Sequence, residues 1–199
     1  MASETANSLN PVIRALLIGA VLIALVALPA FIDSYTLRVA TGALMWAGLA
    51  CAWNIVGGYA GYISFGHSAF FGIGAYTTAI LMQSGIGASF FVTLLPAIAL
   101  SIAVAVAIGG PTMRLRGAYF AIATWAFAEM LMQLVTVLDF TGGTAGLSLP
   151  AYLNEFFFYY VMLLAAAGSF LGVWLLIEHS RFGFRIKALR DDEPAAESL

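Results

Sequence analysis

Apolar residues fall along this chain in long unbroken blocks, with neither the strict alternation of a half-buried strand nor the single stripe of a surface helix. The first block, Ala15 to Ile32, lies between Arg14 and Asp33. From Arg38 to Arg114 the chain then has no Asp, Glu, Lys or Arg: 75 consecutive residues, Val39 to Met113, in which His67 is the one side chain that gains a charge near neutral pH. No soluble core holds such a run. A bilayer does, because about 20 apolar residues make one helical crossing and a charge at mid-depth costs at least ~2.5–3.5 kcal/mol. The run therefore contains roughly three crossings.

The pattern predicts six spans. They are Ala15–Ile32, Val39–Val56, a glycine-rich stretch Gly57–Tyr76 with its apolar continuation to Met82, Phe90–Ile108, Tyr119–Leu138 and Phe156–Ile177. Gln83-Ser84-Gly85 closes the third. Gly109-Gly110-Pro111 is expected to end the fourth, because glycine and then proline continue a helix poorly. The loop Asp139–Pro150, with Thr141-Gly142-Gly143-Thr144-Ala145-Gly146 as turn chemistry, separates the last two. The first block exceeds the apolar core of a signal peptide, follows Glu4 before any basic residue, and has a poor cleavage site around Leu28-Pro29-Ala30, so it reads as a retained helix. The glycine-rich element either spans or dips in and returns. The fold class is thus an all-α polytopic integral membrane protein, with residues 1–199 as one membrane domain.

Composition agrees: the chain is 62% hydrophobic and 9% charged, against about 25% charged in soluble domains. What matters in its net charge of −2 is where the bases lie. Arg114 and Arg116 mark one loop, and Arg181, Arg185, Lys187 and Arg190 mark the C-terminal segment; the excess of bases on cytoplasmic loops puts both inside. Residues 1–14 then form a cytoplasmic N-tail and 178–199 a cytoplasmic segment. A re-entrant third element would exchange Arg14 for Arg38 and leave the tally unchanged. Cys51 alone makes neither an intrachain disulfide nor a multi-cysteine metal site.

Six of the twenty glycines fall within Gly57–Tyr76. Helix packing is one use: Gly57/Gly61 has GxxxG spacing, and Ser64, Ser68 and Gly72 continue a stripe of small residues. A broken helix is the other, since non-helical backbone persists at membrane depth where it is buried in protein or faces a wet cavity. His67, Ser64 and Asn54 are candidates for facing a translocation path. Each also has a bland reading: His67 as a hydrogen-bonded structural histidine, Asn54 as an inter-helix hydrogen bond. Glu129 lies mid-span, with Trp125 and Gln133 four residues to either side on the same helical face. A carboxylate there must be paired, protonated or wetted, so it serves either a pathway or a structural hydrogen bond.

Several chemistries are absent from the sequence. It has no phosphate loop of the form G-x-x-x-x-G-K-[ST], no HExxH pair and no nucleophile elbow, so no enzymatic activity, cofactor or metal is assigned. Nothing points to nucleic acid. The segment Glu178–Arg190 is cationic with interleaved apolar residues, as in a juxtamembrane helix on anionic lipid. Asp191-Asp192-Glu193-Pro194 followed by Ala195-Ala196-Glu197 reads as the start of a second helix, acids at its positive end and proline in its first turn. Such a helix–break–helix suits a groove of a cytoplasmic partner.

Three ordered motifs carry a family resemblance. Trp53-Asn54-Ile55-Val56-Gly57-Gly58-Tyr59-Ala60-Gly61 through Ser64–Tyr76, and Leu115–Thr124 through Thr141–Leu147, closely resemble the permeases of bacterial branched-chain amino acid ABC importers, the second block most like the longer of the paired permeases. Ser180-Arg181-Phe182-Gly183, then Lys187–Glu193 and Ala195–Leu199, resemble the family's loop that contacts the ATPase. The resemblance implies an inner-membrane permease that works with a paired permease subunit, two cytoplasmic ATPase subunits, a periplasmic solute-binding protein and membrane lipid. It assigns ATPase coupling to Phe182, Gly183, Arg185, Ala188, Arg190, Asp191, Glu193, Ala195, Ala196 and Glu197. Family members continue with further helices, so the chain is expected to be a fragment of a longer permease. A urea or short-chain amide permease shares much of this pattern. An ion-driven secondary transporter using Glu129 and His67, and a non-transporting scaffold, are the rival classes.

Overall fold

The computed structural model describes residues 11–84, 89–115, 117–149 and 154–191. Seven α-helices make up the described chain: α1 (Pro11–Ala27), α2 (Ser34–Asn54), α3 (His67–Gln83), α4 (Phe90–Thr112), α5 (Ala118–Val137), α6 (Glu155–Val173) and α7 (Arg181–Asp191). No strand occurs among the described residues. The fold is all-α, as the apolar blocks require. Four helical segments are long and apolar enough to cross a membrane: Ser34–Tyr59, Phe90–Thr112, Ala118–Val137 and Glu155–Glu178. The expected six crossings rest in addition on α1 and α3, each of 17 residues.

Backbone contacts divide the chain into two compact units, Met1–Gly48 with Tyr152–Gly168, and Leu49–Ala151 with Ser169–Leu199. In the first, a 3-10 turn at Leu28–Ala30 ends α1, and Asp33 starts α2. The Tyr35 and Thr36 amides donate to Asp33 Oδ2 at 3.1 and 3.3 Å, and the Thr36 hydroxyl to Oδ1 at 2.7 Å. This satisfies donors that a helix N-terminus leaves unpaired. The core is Leu37, Tyr159 and Leu163, packed by Leu25, Leu28, Ile32, Ala40 and Leu44. Tyr159 is fully buried. Its hydroxyl donates to Leu25 O at 2.7 Å, using a carbonyl that the last turn of α1 cannot pair itself. Arg38 donates from Nε (3.0 Å) and Nη2 (2.6 Å) to one oxygen of Glu155.

In the second unit, α3 and α5 run side by side in the same direction. Tyr62 meets Phe120 edge-on with centroids 5.4 Å apart, Phe70 meets Phe127 at 5.7 Å, and beyond the far end of α3 Gln83 Nε2 donates to Ser148 O at 2.6 Å. The glycine-rich element therefore runs the length of its neighbour and does not turn back. At ~1.5 Å per residue α3 is about 25 Å long, short of a hydrocarbon core of about 30 Å. The extended residues before it make up the difference.

One expected boundary moves: α4 continues through Gly109-Gly110-Pro111 to Thr112. Pro111 removes one amide from the last turn, where few helical bonds remain to be lost. The last turn stays closed: Met113 N donates to Gly109 O at 2.8 Å, and the Thr112 hydroxyl adds bonds to Ile108 O (2.8 Å) and Gly109 O (3.2 Å). Gly85, Arg116, Pro150 and the second tail helix at Asp192–Leu199 lie outside the described residues.

Candidate functional site

The site begins where α2 fails. After Asn54 the helix widens into a π-turn, Ile55–Tyr59, with Ala60 N bonded to Ile55 O at 3.1 Å and Tyr62 N to Val56 O at 3.0 Å. Gly61 then takes φ +77°, the left-handed region that side chains avoid, and residues 61–65 are extended. A break inside a membrane protein must find new partners for its backbone, and each is identifiable here. Trp53 Nε1 reaches across it to donate to Ser64 O at 2.8 Å. Phe65 N donates to Thr124 Oγ1 of α5 at 3.1 Å. Gly66 N donates to Ser64 Oγ at 3.3 Å, and Ser68 Oγ to Phe65 O at 3.2 Å.

The small-residue stripe is interrupted at this point. Gly61 leaves the helix, so Gly57 and Gly61 share no helical face; a Cβ on Gly57 would lie 2.5 Å from the Trp53 ring, and one on Gly58 would lie 2.0 Å from Asn54 Oδ1. These glycines make room for the side chains that precede them. Asn54 is exposed on the α2 end of the break, and Ser64 is buried inside it. His67 opens α3, half-buried, with Nδ1 lacking a hydrogen-bond partner among the described residues.

Beside the break lies a cavity of about 830 Å³, within the range of small-molecule sites. Phe65 and Ser68 line one end of it and Thr141, Gly143, Thr144, Ala145 and Gly146 the other, with α3 and α5 as long walls and Leu100 from α4. The loop end is fixed by its own chemistry. Buried Thr141 turns its hydroxyl onto Val135 O (2.6 Å) and Leu138 O (2.5 Å), and Gly142, Gly143 and Gly146 have positive φ. A Cβ on Gly142 would lie 2.2 Å from Gly146 O. Of the path candidates, Glu129 lines the cavity and Asn54, Ser64 and His67 do not; Ser68 and Gly72, read from sequence as packing residues, line it too. Gln133 Nε2 donates to Glu129 Oε1 at 3.0 Å, the i,i+4 pairing their spacing allows.

At the other side of the break sits α7. The chain leaves α6 through a second π-turn, Trp174–Glu178, and Ser180 caps α7: Gly183 N donates to its Oγ at 3.2 Å, while that hydroxyl donates to Leu176 O. Gly183 is buried, and a Cβ there would lie 1.9 Å from Ile177 O. Lys187 bonds Glu178 at 3.0 Å and stands 5.5 Å over the Tyr59 ring. Arg190 Nη1 approaches Gly58 O at 3.4 Å. Phe182 and Arg185 are exposed and Ala188 is half-buried. The side chain of Asp191 and all of Glu193, Ala195, Ala196 and Glu197 lie outside the described residues.

Sequence reasoning missed Thr124, which holds the break to α5, and the seating of α7 on Tyr59–Gly61. A threonine within an apolar helix gives no signal of which backbone it will meet. Among the described residues no group of three or more His, Cys, Asp or Glu could hold a metal ion.

Residues 35–199 match the family model described as the permease component of the branched-chain amino acid transport system. Two relatives are the high-affinity branched-chain amino acid transport system permease protein LivM of Escherichia coli (strain K12), 37% identical over 136 residues, and that of Salmonella typhimurium (strain LT2), 36% identical over 136 residues. Each match covers 67% of this chain and 31% of the relative. No solved structure matches the chain at a significant level.

Proposed function

We propose that this chain, which belongs to the family of branched-chain amino acid transport permease components, forms part of the membrane path of an ATP-driven importer for branched-chain amino acids. The observation that carries the reading is the break at Gly61–Gly66 beside a cavity walled by α3 and α5. Broken helices beside a midplane cavity are how transporters build solute sites in a bilayer. The paired permease, two cytoplasmic ATPases and a periplasmic solute-binding protein complete the machine in this reading, and residues 1–199 act within one permease domain of the inner membrane. Asn54, Ser64 and His67 belong to the moving element around the break, and Glu129 faces the solute.

Coupling runs through the tail. The exposed side of α7, with Phe182 and Arg185, faces the ATPase in this reading, together with Asp191, Glu193, Ala195, Ala196 and Glu197. Ala188 and Arg190 belong to its inner side. Lys187 and Arg190 touch Tyr59 and Gly58, so a displacement of α7 would be delivered directly to the break, as a rigid-body switch. Both chain ends described by this reading are cytoplasmic, consistent with the basic residues of α7.

The test is reconstitution of the full-length permease with its paired subunit, ATPases and binding protein in vesicles. ATP-dependent uptake of L-leucine, competed by L-isoleucine and L-valine and not by urea, supports the reading. Uptake that survives ATP depletion and collapses with the proton gradient would overturn it.

A further inference from the structure

We infer that Glu129 and Trp125 form a subsite for a primary ammonium group within the α3/α5 cavity, its aliphatic walls taking the branched tail of the same ligand. The inference rests on the importer reading for the identity of that ligand as an aliphatic amino acid. Among the described residues lining the cavity, Glu129 is the one with a formal charge, and no base lines it. Its Oε1 accepts from Gln133, while Oε2 accepts from no described residue, so the carboxylate keeps a face for a ligand donor.

Most of the hydroxyls around it point the same way. A hydroxyl can donate once and accept twice, and of the six residues with hydroxyls that line the cavity, Tyr76 and Thr144 among them, four spend their donor on the backbone: Ser68 on Phe65 O, Thr77 on Ile73 O, Thr136 on Gln133 O and Thr141 on Val135 and Leu138 O. What these four present to the cavity is lone pairs. An ammonium with three donors suits them and the Glu129 carboxylate. Trp125 lies four residues before Glu129 on the same helical face, where its ring adds cation–π attraction. Ile73, Ile80, Leu100 and Met132 supply the apolar remainder. The ligand's own carboxylate would lie away from Glu129.

The experiment uses the full-length importer with Cys51→Ala and Ser68→Cys, so that a thiol reagent reports on the cavity wall. L-leucine and isoamylamine, which carry both ammonium and branched tail, are expected to slow labelling at least tenfold, and isovalerate, which lacks the ammonium, to leave it unchanged. Glu129→Gln should abolish protection by both amines and lower leucine uptake at least tenfold, with Glu129→Asp restoring part of each. Protection that is equal in Glu129→Gln, or that isovalerate also gives, overturns the subsite. Isoamylamine protection through Glu129 without any leucine uptake would instead retain the subsite and overturn the importer reading. If Ser68→Cys fails to accumulate, Gly72→Cys serves, since a Cβ there meets nothing within 4 Å.

Discussion

Gly61 and Arg190 are pressed together: a Cβ added at Gly61 would lie 2.8 Å from Arg190 Cγ. The same glycine has φ +77°, so both its conformation and its neighbour exclude a side chain. The contact joins the broken end of α2 to α7. It also makes the joint testable by one methyl group.

Gly61→Ala should destabilise the protein by about 1–2 kcal/mol from the left-handed backbone alone, read as a fall in the thermal midpoint in detergent. In the importer it should also lower substrate-stimulated ATPase activity. Arg190→Ala in the same chain should relieve the steric part and leave the backbone part, so the double variant recovers incompletely. A Gly61→Ala protein with unchanged midpoint and coupling would show that the joint is not there.

Thr124→Val keeps the shape of the side chain and removes the acceptor for Phe65 N. An amide left without a partner costs about 1–3 kcal/mol, and buried Thr124 gives water little access. Thr124→Ser should be much milder. Hydrogen exchange at Phe65 checks the mechanism: it should quicken in Thr124→Val and stay slow in Thr124→Ser.

Gly183→Ala places a methyl 1.9 Å from Ile177 O, a backbone atom that cannot swing aside. The first turn of α7 must shift, and with it Lys187 over Tyr59. The expected outcome is a protein that accumulates in the membrane and loses most of its ATPase coupling, measured as uptake per ATP hydrolysed. Uptake at the parental ratio would separate α7 from coupling.

Asp33 gives a pH dependence. The Thr36 hydroxyl and then the Thr36 amide hold its carboxyl below the usual value of 3.8. A carboxyl depressed in the folded state contributes stability that is fully present above its unfolded value and is lost as pH falls through the folded one. The wild type should therefore lose thermal stability on acidification below about pH 4 more steeply than Asp33→Asn, which keeps a capping acceptor without a charge. Parallel curves for the two proteins would exclude the cap as the titrating group.

The helices were legible because the bilayer's demands are written in composition. Uncharged blocks of span length forced the elements and basic residues marked the tail, while the caps at Asp33 and Ser180 emerged only from the structure. Glycine and then proline stop a helix in water, whereas α4 runs on to Thr112 because Pro111 costs one bond in a last turn that Met113 N and the Thr112 hydroxyl still hold closed. For Gly57–Tyr76 the residues allowed packing or a break. Local preference could not choose, since glycine permits both.

By itself the sequence determined the class of protein, the approximate bounds of most of its helices, and the motifs that placed it in a family. These follow from burial of whole segments in one solvent, a property of each segment alone. Tertiary structure decided where the helix breaks, that Trp53 and Thr124 repair it, that Glu129 rather than His67 lines the cavity, and that α7 rests on Tyr59–Gly61. Each of those depends on which backbone groups meet across tens of residues. A freed amide has a fixed cost, but its partner is chosen only when the chains pack.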